Sequence, residues 1–473
     1  MSTSNTDRAF IGAATVLACL AGLVGTDRRP TMLEVLVYDD PTVERVVECL
    51  GKWAKDQKIQ VHVTKLPYDE LYYKVREHGA KYDLLLIDDP WLPALAEKGD
   101  VLRPVTDVEL RQRMPQFARE FSEVCYYRKR SPSAGADGPR RPAKEIRECS
   151  GKANSPACAD IYKGWELYAM PVIGNVQLLL VAADLLPKHK AGDPLSWPQL
   201  KHAIIEHDKT PAHSGPGAAR PVRFVFRGGS SNAALADFLP FLRAWHANLL
   251  NDDNIVTLSK PDCRAREALK FGLELAASFS PVQHARLNDQ DVYQLLADDE
   301  AEAGVIWLAS VSRMQAAKDR LIALPMPTNA DSTPVNNRTG VTGAWLIAVG
   351  QKAHNARMAW EFISHITCHE SAKAMKEDGI PAAYENLLSP NESLVHAAAP
   401  RPAHPRWKEI EEAAGLRIQQ AYWHTVSPDE ALSRAAFDIR KILEAEEPPN
   451  KDKKGSKCKK LHTEPTRGKG GPQ

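Results

Sequence analysis

Trp165-Glu-Leu-Tyr-Ala-Met-Pro-Val-Ile-Gly-Asn-Val-Gln-Leu-Leu-Leu-Val-Ala-Ala-Asp-Leu-Leu186 is the stretch that decides the architecture of this chain. A small-residue and proline break, Ala169 to Pro171, leads to the amides Asn175 and Gln177. An apolar run and a helix-like Asp184-Leu-Leu186 follow. Two residues apart on a strand, the amides share one face. The pattern reads as a strand that leaves one folded body, presents polar groups over a crevice and continues into a second body.

Strand and helix signals alternate on both sides of it. Leu33-Glu-Val-Leu-Val-Tyr38 has strand composition and stops at Asp39-Asp40-Pro41. Val43, Val46, Val47, Leu50 and Trp53 then recur at helical spacing, giving one apolar stripe. Ile59, Val61 and Val63 alternate with polar residues, and a helix covers about 68–78. Leu84-Leu-Leu-Ile87, bounded by Asp83 and Asp88-Asp89-Pro90, reads as a strand covered on both faces. Strand, helix, strand, helix, strand is the signature of an α/β sheet. Phe224-Val-Phe226, Gly304-Val-Ile-Trp307 and Gly343-Ala-Trp-Leu-Ile-Ala-Val349 read as further strands. Helices dominate from Ala353, including 359–367 and 409–422. Ser427-Pro-Asp-Glu430 has a capping serine, a first-turn proline and a glutamate at the third helical position.

At 473 residues the chain is too long for one simple core, and two or three domains are expected. The net charge of +1 provides no general attraction to nucleic acid or an anionic membrane. Eight cysteines are too few for a disulfide scaffold, and no Cys-x-x-Cys pair exists. Cys149 and Cys158 either close one loop disulfide in an oxidising compartment or remain thiols. Ala9 to Gly25 carries no charge and is short for a membrane span, so residues 1–30 read as a signal-like segment. Val16-Leu-Ala-Cys19 resembles a lipoprotein cleavage box; a buried N-terminal helix of a cytoplasmic protein is the alternative. Residues 126–160, rich in Arg, Lys, Pro, Ser and Gly, read as an exposed insertion. The basic, Gly/Pro-rich stretch 448–473 reads as a disordered tail.

The usual nucleotide-binding loops, the Gly-x-Ser-x-Gly elbow and His-Glu-x-x-His are all absent. His365 and His369 are four apart on a predicted helix but have no third ligand nearby, so no metal or cofactor is expected. Asp39-Asp40 and Asp88-Asp89 each close a predicted parallel strand, where open α/β sheets hold ligands. One aspartate of each pair is expected to cap the next helix and the other to face the crevice. They also leave an acid/base enzyme as a competing reading. Trp91, Trp307, Trp345 and Trp407 lie near strand ends or helix starts. Aromatic faces beside Asp, Asn, Gln and Arg suit the apolar face and hydroxyls of a sugar, although each Trp also suits a core.

From Leu33 to about Leu443 the chain resembles the extracellular solute-binding proteins of ABC importers, in the maltose and multiple-sugar branch. The resemblance rests on the order and spacing of several pieces. These are Tyr38-Asp-Asp40, Tyr82-Asp-Leu-Leu-Leu-Ile-Asp-Asp-Pro-Trp91 continuing to Gly99, Leu167-Tyr-Ala-Met-Pro171 with Gly174-Asn-Val-Gln177, and Leu195-Ser-Trp-Pro-Gln-Leu200. Gly340-Val-Thr-Gly-Ala-Trp345, Ala359-Trp-Glu-Phe-Ile363 and Ser427-Pro-Asp-Glu-Ala-Leu432 complete them. The resemblance implies a two-lobe α/β periplasmic-binding-protein fold of the maltose-binding type, with hinge strands between lobes. Lobe one would take 33–168 and 300–345, and lobe two 170–298 and 347–445. It also implies a monomer that delivers a sugar or other small solute to a membrane permease, without catalysis. The alternative is a cytoplasmic ligand-sensing domain of the same fold. By position, Asp39, Asp40, Asp88, Asp89, Trp91, Asn175, Gln177, Arg227, Trp307, Gly343, Trp345 and Trp407 are the implied ligand contacts. The 126–160 insertion departs from the family pattern.

Overall fold

Strand β1 (Met32–Tyr38) lies between β2 (Gln60–Leu66) and β3 (Leu84–Asp88) and runs parallel to both. The computed structural model describes residues 32–128, 165–208, 224–251, 254–258, 264–279, 286–311, 320–329, 338–388 and 392–445. Every residue of β3 is buried, as its unbroken apolar run requires. The stripe from Val43 to Trp53 forms one face of helix Pro41–Asp56, and Val43, Val46, Leu50 and Trp53 enter the core. The short strands β4 (Tyr126–Tyr127) and β5 (Glu166–Leu167) pair antiparallel, so the chain leaves and re-enters this body at one place. Within the expected insertion, 129–164 with Cys149 and Cys158 lies outside the described residues. So do the N-terminal segment with Cys19 and the tail from 446.

β6 (Ala169–Ala182) is the 14-residue strand foreseen in the opening stretch. Met170, Val172 and Ile173 belong to one apolar core, Leu179 and Val181 to another. A Cβ on Gly174 would lie 2.4 Å from the Phe121 ring and 2.6 Å from the Ala382 carbonyl oxygen, so only glycine fits at the crossing. In the second body β7 (Ala303–Trp307) and β8 (Leu321–Leu324) run antiparallel to β6. β9 (Gly340–Ala348) runs back antiparallel to β6 and joins the first body through β3. β10 (Ala398–Pro400) pairs with its start. The sheet path is therefore β2-β1-β3-β9-β6-β7.

The expected lobe boundaries need correction for the later segments. Ala303, Val305 and Leu324 sit in the second core, whereas Ala359, Phe362 and Ile363 of helix Ala356–Ile366 sit in the first. Phe362 packs on Trp53 at 5.3 Å between ring centroids. Burying such a side chain contributes about 1.5–3 kcal/mol. The physical reason is the direction of β9: Val341 lies in the second core and Ala344 in the first, so β9 carries the chain back. A third crossing follows between Val395 and Trp407, and helices Trp407–Tyr422 and Pro428–Glu444 complete the second body. Ser427 caps the last helix by accepting from the Glu430 N–H, as its sequence indicated. Phe224-Val-Phe226 is buried but makes only a single bridge, Val225 to Gly304, in place of the expected strand.

Candidate functional site

The crossing strands bring their polar midpoints together. Asn175 of β6 is in register with Gly343 of β9, and Gln177 with Trp307 of β7. Over this junction lies a cleft of about 480 Å³, lined from both bodies.

The first body contributes an aromatic wall. Trp345 stacks on Tyr38, centroids 5.1 Å apart and planes at 22°, with Tyr68 edge-on to Trp345 at 6.4 Å. All three line the cleft. Trp91 does not: it is fully buried behind them, 4.8 Å from Tyr68 and 6.2 Å from Trp345. The turn after β3 rolls its large ring into the core, where its apolar area is better spent. Burial, then the neighbouring Asp40, pushes the Tyr38 phenol up, and burial with Asp88 does the same for Tyr68. Both phenols therefore remain protonated. From the second body Trp307 lies across the β9 backbone. A Cβ on Gly343 would meet its ring at 3.1 Å, which explains the glycine.

The aspartate pairs depart from expectation in an instructive way. Asp40 caps helix Pro41–Asp56 through the Thr42 N–H (2.7 Å) and also lines the cleft; Asp88 caps the following turn through the Asp89 N–H (3.0 Å) and lines it too. Capping and cleft-facing fall on one residue because the strand end is both helix start and crevice wall. Asp39 lies instead in an adjoining 550 Å³ cavity with Glu44, Glu48 and Asp378. Asp89 is buried, off the cleft.

Arg401, which sequence reasoning missed, holds both carboxylates. Its Nη2 donates to Asp88 Oδ1 at 2.6 Å and to Asp89 Oδ1. Tyr68 donates to the other oxygen of Asp88 at 2.5 Å. Burial opposes the Arg401 charge, but Asp88 and Asp89 hold it protonated.

On the opposite wall Arg227 lines the cleft with its guanidinium 5.5 Å from the Trp307 ring. It is not free for a ligand. Asp237, fully buried in helix Ser231–Ala244, accepts from its backbone N–H at 2.7 Å, Nε at 3.2 Å and Nη2 at 2.5 Å, and Asp289 accepts from Nη1 at 2.8 Å. Burial opposes the charge; Asp237 and Asp289 outweigh it. Gln177 is turned to the same anchor, donating to Asp237 Oδ1 at 2.8 Å, and is buried away from the cleft. Asn175 does line the cleft, while its Oδ1 accepts from the Ala309 N–H at 3.1 Å. Trp407 is also displaced from expectation: as first residue of its helix it packs into the second core, and its Nε1 donates to Glu411 Oε1 at 3.3 Å.

Glu411 lines the cleft although its residue exposure is only 1 %. Burial pushes its carboxyl up to about 7, against the pull of Arg401 and Lys408. Lys408 donates to Asp69 at 2.6 Å, and Arg76 pairs with Glu409 at 3.2 Å, so helices Tyr68–His78 and Trp407–Tyr422 join the bodies along one edge. Between the ordinary value of 4.5 and 7 the folded state binds the Glu411 proton more tightly than the unfolded chain. Its contribution is full below 4.5 and lost as pH rises through 7. Glu411→Gln is expected to gain about 2–3 kcal/mol on wild type between pH 5 and 8, read by denaturant unfolding at both.

Among the described residues no group of three or more ligating side chains is placed to hold a metal, and no described helix is long and apolar enough to cross a membrane.

The model of a family described as bacterial extracellular solute-binding protein matches residues 50–399. Solved structures share the fold. Maltose-bound MalE3 of T. maritima is 16% identical with a TM-score of 0.68, covering 87% of this chain and all of that one. An ABC transporter solute-binding protein of Thermotoga lettingae TMO, with bound α-D-tagatose, is 20% identical at 0.66, with coverage of 87% and 100%. The acarbose-binding GacH receptor of Streptomyces glaucescens is 16% identical at 0.66, with coverage of 88% and 99%. The family match spans well over half of the residues, and the two bodies with their crossing strands are those of the solved structures: the chain belongs to the bacterial extracellular solute-binding proteins.

Proposed function

We propose that the chain binds a sugar or oligosaccharide in the interlobe cleft and delivers it to the membrane permease of an ABC importer. The observation that carries this reading is the aromatic wall of Trp345 on Tyr38, beside the polar groups of Asp40, Asp88 and Asn175. A pyranose stacks its apolar face on such a wall and its hydroxyls meet planar acceptors and donors. Solved relatives hold maltose, α-D-tagatose and acarbose. A ligand touching both bodies favours the closed arrangement by hinge bending, and opening at the permease releases it. The protein acts as an exported monomer, by binding without turnover. Loss of about residues 1–18, or a lipid on Cys19, in the mass of the native protein marks export and excludes the cytoplasmic sensor.

A thermal-shift screen of sugars, polyols and sugar acids tests the reading, because ligand at a hundred times its Kd adds about 2.7 kcal/mol of apparent stability. The bound sugar is expected to be recovered unchanged. Trp345→Ala is expected to weaken binding about thirtyfold, roughly the 2 kcal/mol of a hot-spot aromatic, with little change in melting of the free protein. Asn175→Ala is expected to weaken binding and also to lose about 1 kcal/mol of stability, since it removes an oxygen that accepts from both the Val176 and Ala309 N–H groups. Calorimetry that finds unchanged affinity in both variants removes the cleft from consideration.

A further inference from the structure

We infer that the cleft selects by charge at Glu411, taking saccharides that present a hydroxyl or ammonium group there and rejecting those that present a carboxylate or phosphate. The inference rests on the sugar-binding reading and narrows its ligand class. Six carboxylates line the cleft against two guanidiniums. Both guanidiniums are spent: Arg227 on Asp237 and Asp289, Arg401 on Asp88 and Asp89. Lys408, behind the lining, is held by Asp69 and Glu412. Among the described lining residues no cation is left over for an anionic ligand.

Glu411 has the opposite character. Trp407 occupies Oε1, while Oε2 is buried with no hydrogen-bond partner among the described residues. A buried acceptor without a donor carries a desolvation penalty that a ligand donor relieves. Once the carboxyl is ionised, an anionic group at the same place meets a second acceptor and gains nothing. The groups facing Glu411 are Arg401 from the third crossing, Lys408 and Trp407 from its own helix, and Asp88 and Tyr68 from the first body. Asp89 shares the Arg401 guanidinium with Asp88, so two cations meet two carboxylates and the state of Glu411 sets the local sign. Its carboxyl, pushed by burial up to about 7, is largely neutral at pH 6 and ionised at pH 8. Discrimination against anions therefore strengthens across that interval.

Calorimetry with D-glucose, D-mannitol, D-glucosamine, D-glucuronate, D-gluconate and D-glucose 6-phosphate, at pH 6 and 8, on wild type and Glu411→Gln, tests this. The amide keeps an acceptor for the Trp407 indole, and the melting curve checks that the variant folds. Uncharged or amino members are expected to bind at least tenfold tighter than their anionic counterparts, with a wider gap at pH 8. In Glu411→Gln the gap is expected to shrink several-fold and lose its pH dependence. An anionic member that binds wild type as tightly as its uncharged counterpart overturns the inference and leaves sugar binding standing. So does a gap that Glu411→Gln leaves intact at both pH values. Absence of binding by every member while the wider sugar screen is also blank overturns sugar binding itself. If that wider screen yields a neutral ligand such as maltose, the same comparison runs on maltose and its uronic-acid counterpart.

Discussion

Asp237→Ala is expected to destabilise the protein by about 3–5 kcal/mol, the range for removing one partner of a buried ion pair. The aspartate is fully buried, and four donor atoms converge on it: one from Gln177 and three from Arg227. Its loss leaves the Arg227 guanidinium only Asp289, whose side chain is half exposed, and leaves the Gln177 amide without its acceptor. The net value of the intact pair is a separate matter, since two buried charges lose hydration that their attraction repays incompletely. Arg227→Met combined with Asp237→Leu is therefore expected to be milder than Asp237→Ala alone. Denaturant midpoints of the singles and the double measure the coupling. A loss below about 1 kcal/mol for Asp237→Ala would show that water or a shifted side chain already satisfies Arg227.

The same network marks where the sequence was readable. The strands were legible because period and run length are local properties: β3 is an unbroken apolar run, and β6 shows its amides two apart. Trp345, Gly343 and Asn175 were legible as cleft residues because they sit on the crossing strands themselves, and Trp307 because it ends a strand paired with one of them. Asp237 carries a signal of its own, a lone charge inside Ala233-Ala-Leu-Ala-Asp-Phe-Leu-Pro-Phe-Leu242. A charge in such a helix must find a buried partner. Its partners are Arg227 and Gln177, the two groups that the sequence pattern assigns to the ligand. The placement of 300–395 was not legible, because the apolar stripe of helix Ala356–Ile366 fits either body. Only the direction of β9 decides between them.

Arg401 left no local signal at all, being a surface-like arginine between two prolines whose partners lie 312 and 313 residues away. Its replacement carries the second large expectation. Arg401→Met is expected to lose about 3–5 kcal/mol at neutral pH, because Asp88 and Asp89 are then buried together without a cation. Methionine fills most of the volume, so the loss reflects charge more than packing. One feature separates this from a simple cavity. Asp89→Asn on the Arg401→Met background is expected to recover a good part of the loss, leaving Asp88 with its Tyr68 and Asp89 N–H donors. Denaturant unfolding of the single and double variants reads it. A loss untouched by Asp89→Asn would mean that Arg401 matters as packing. The balance of charge at the inner end of the cleft would then have to come from Lys408.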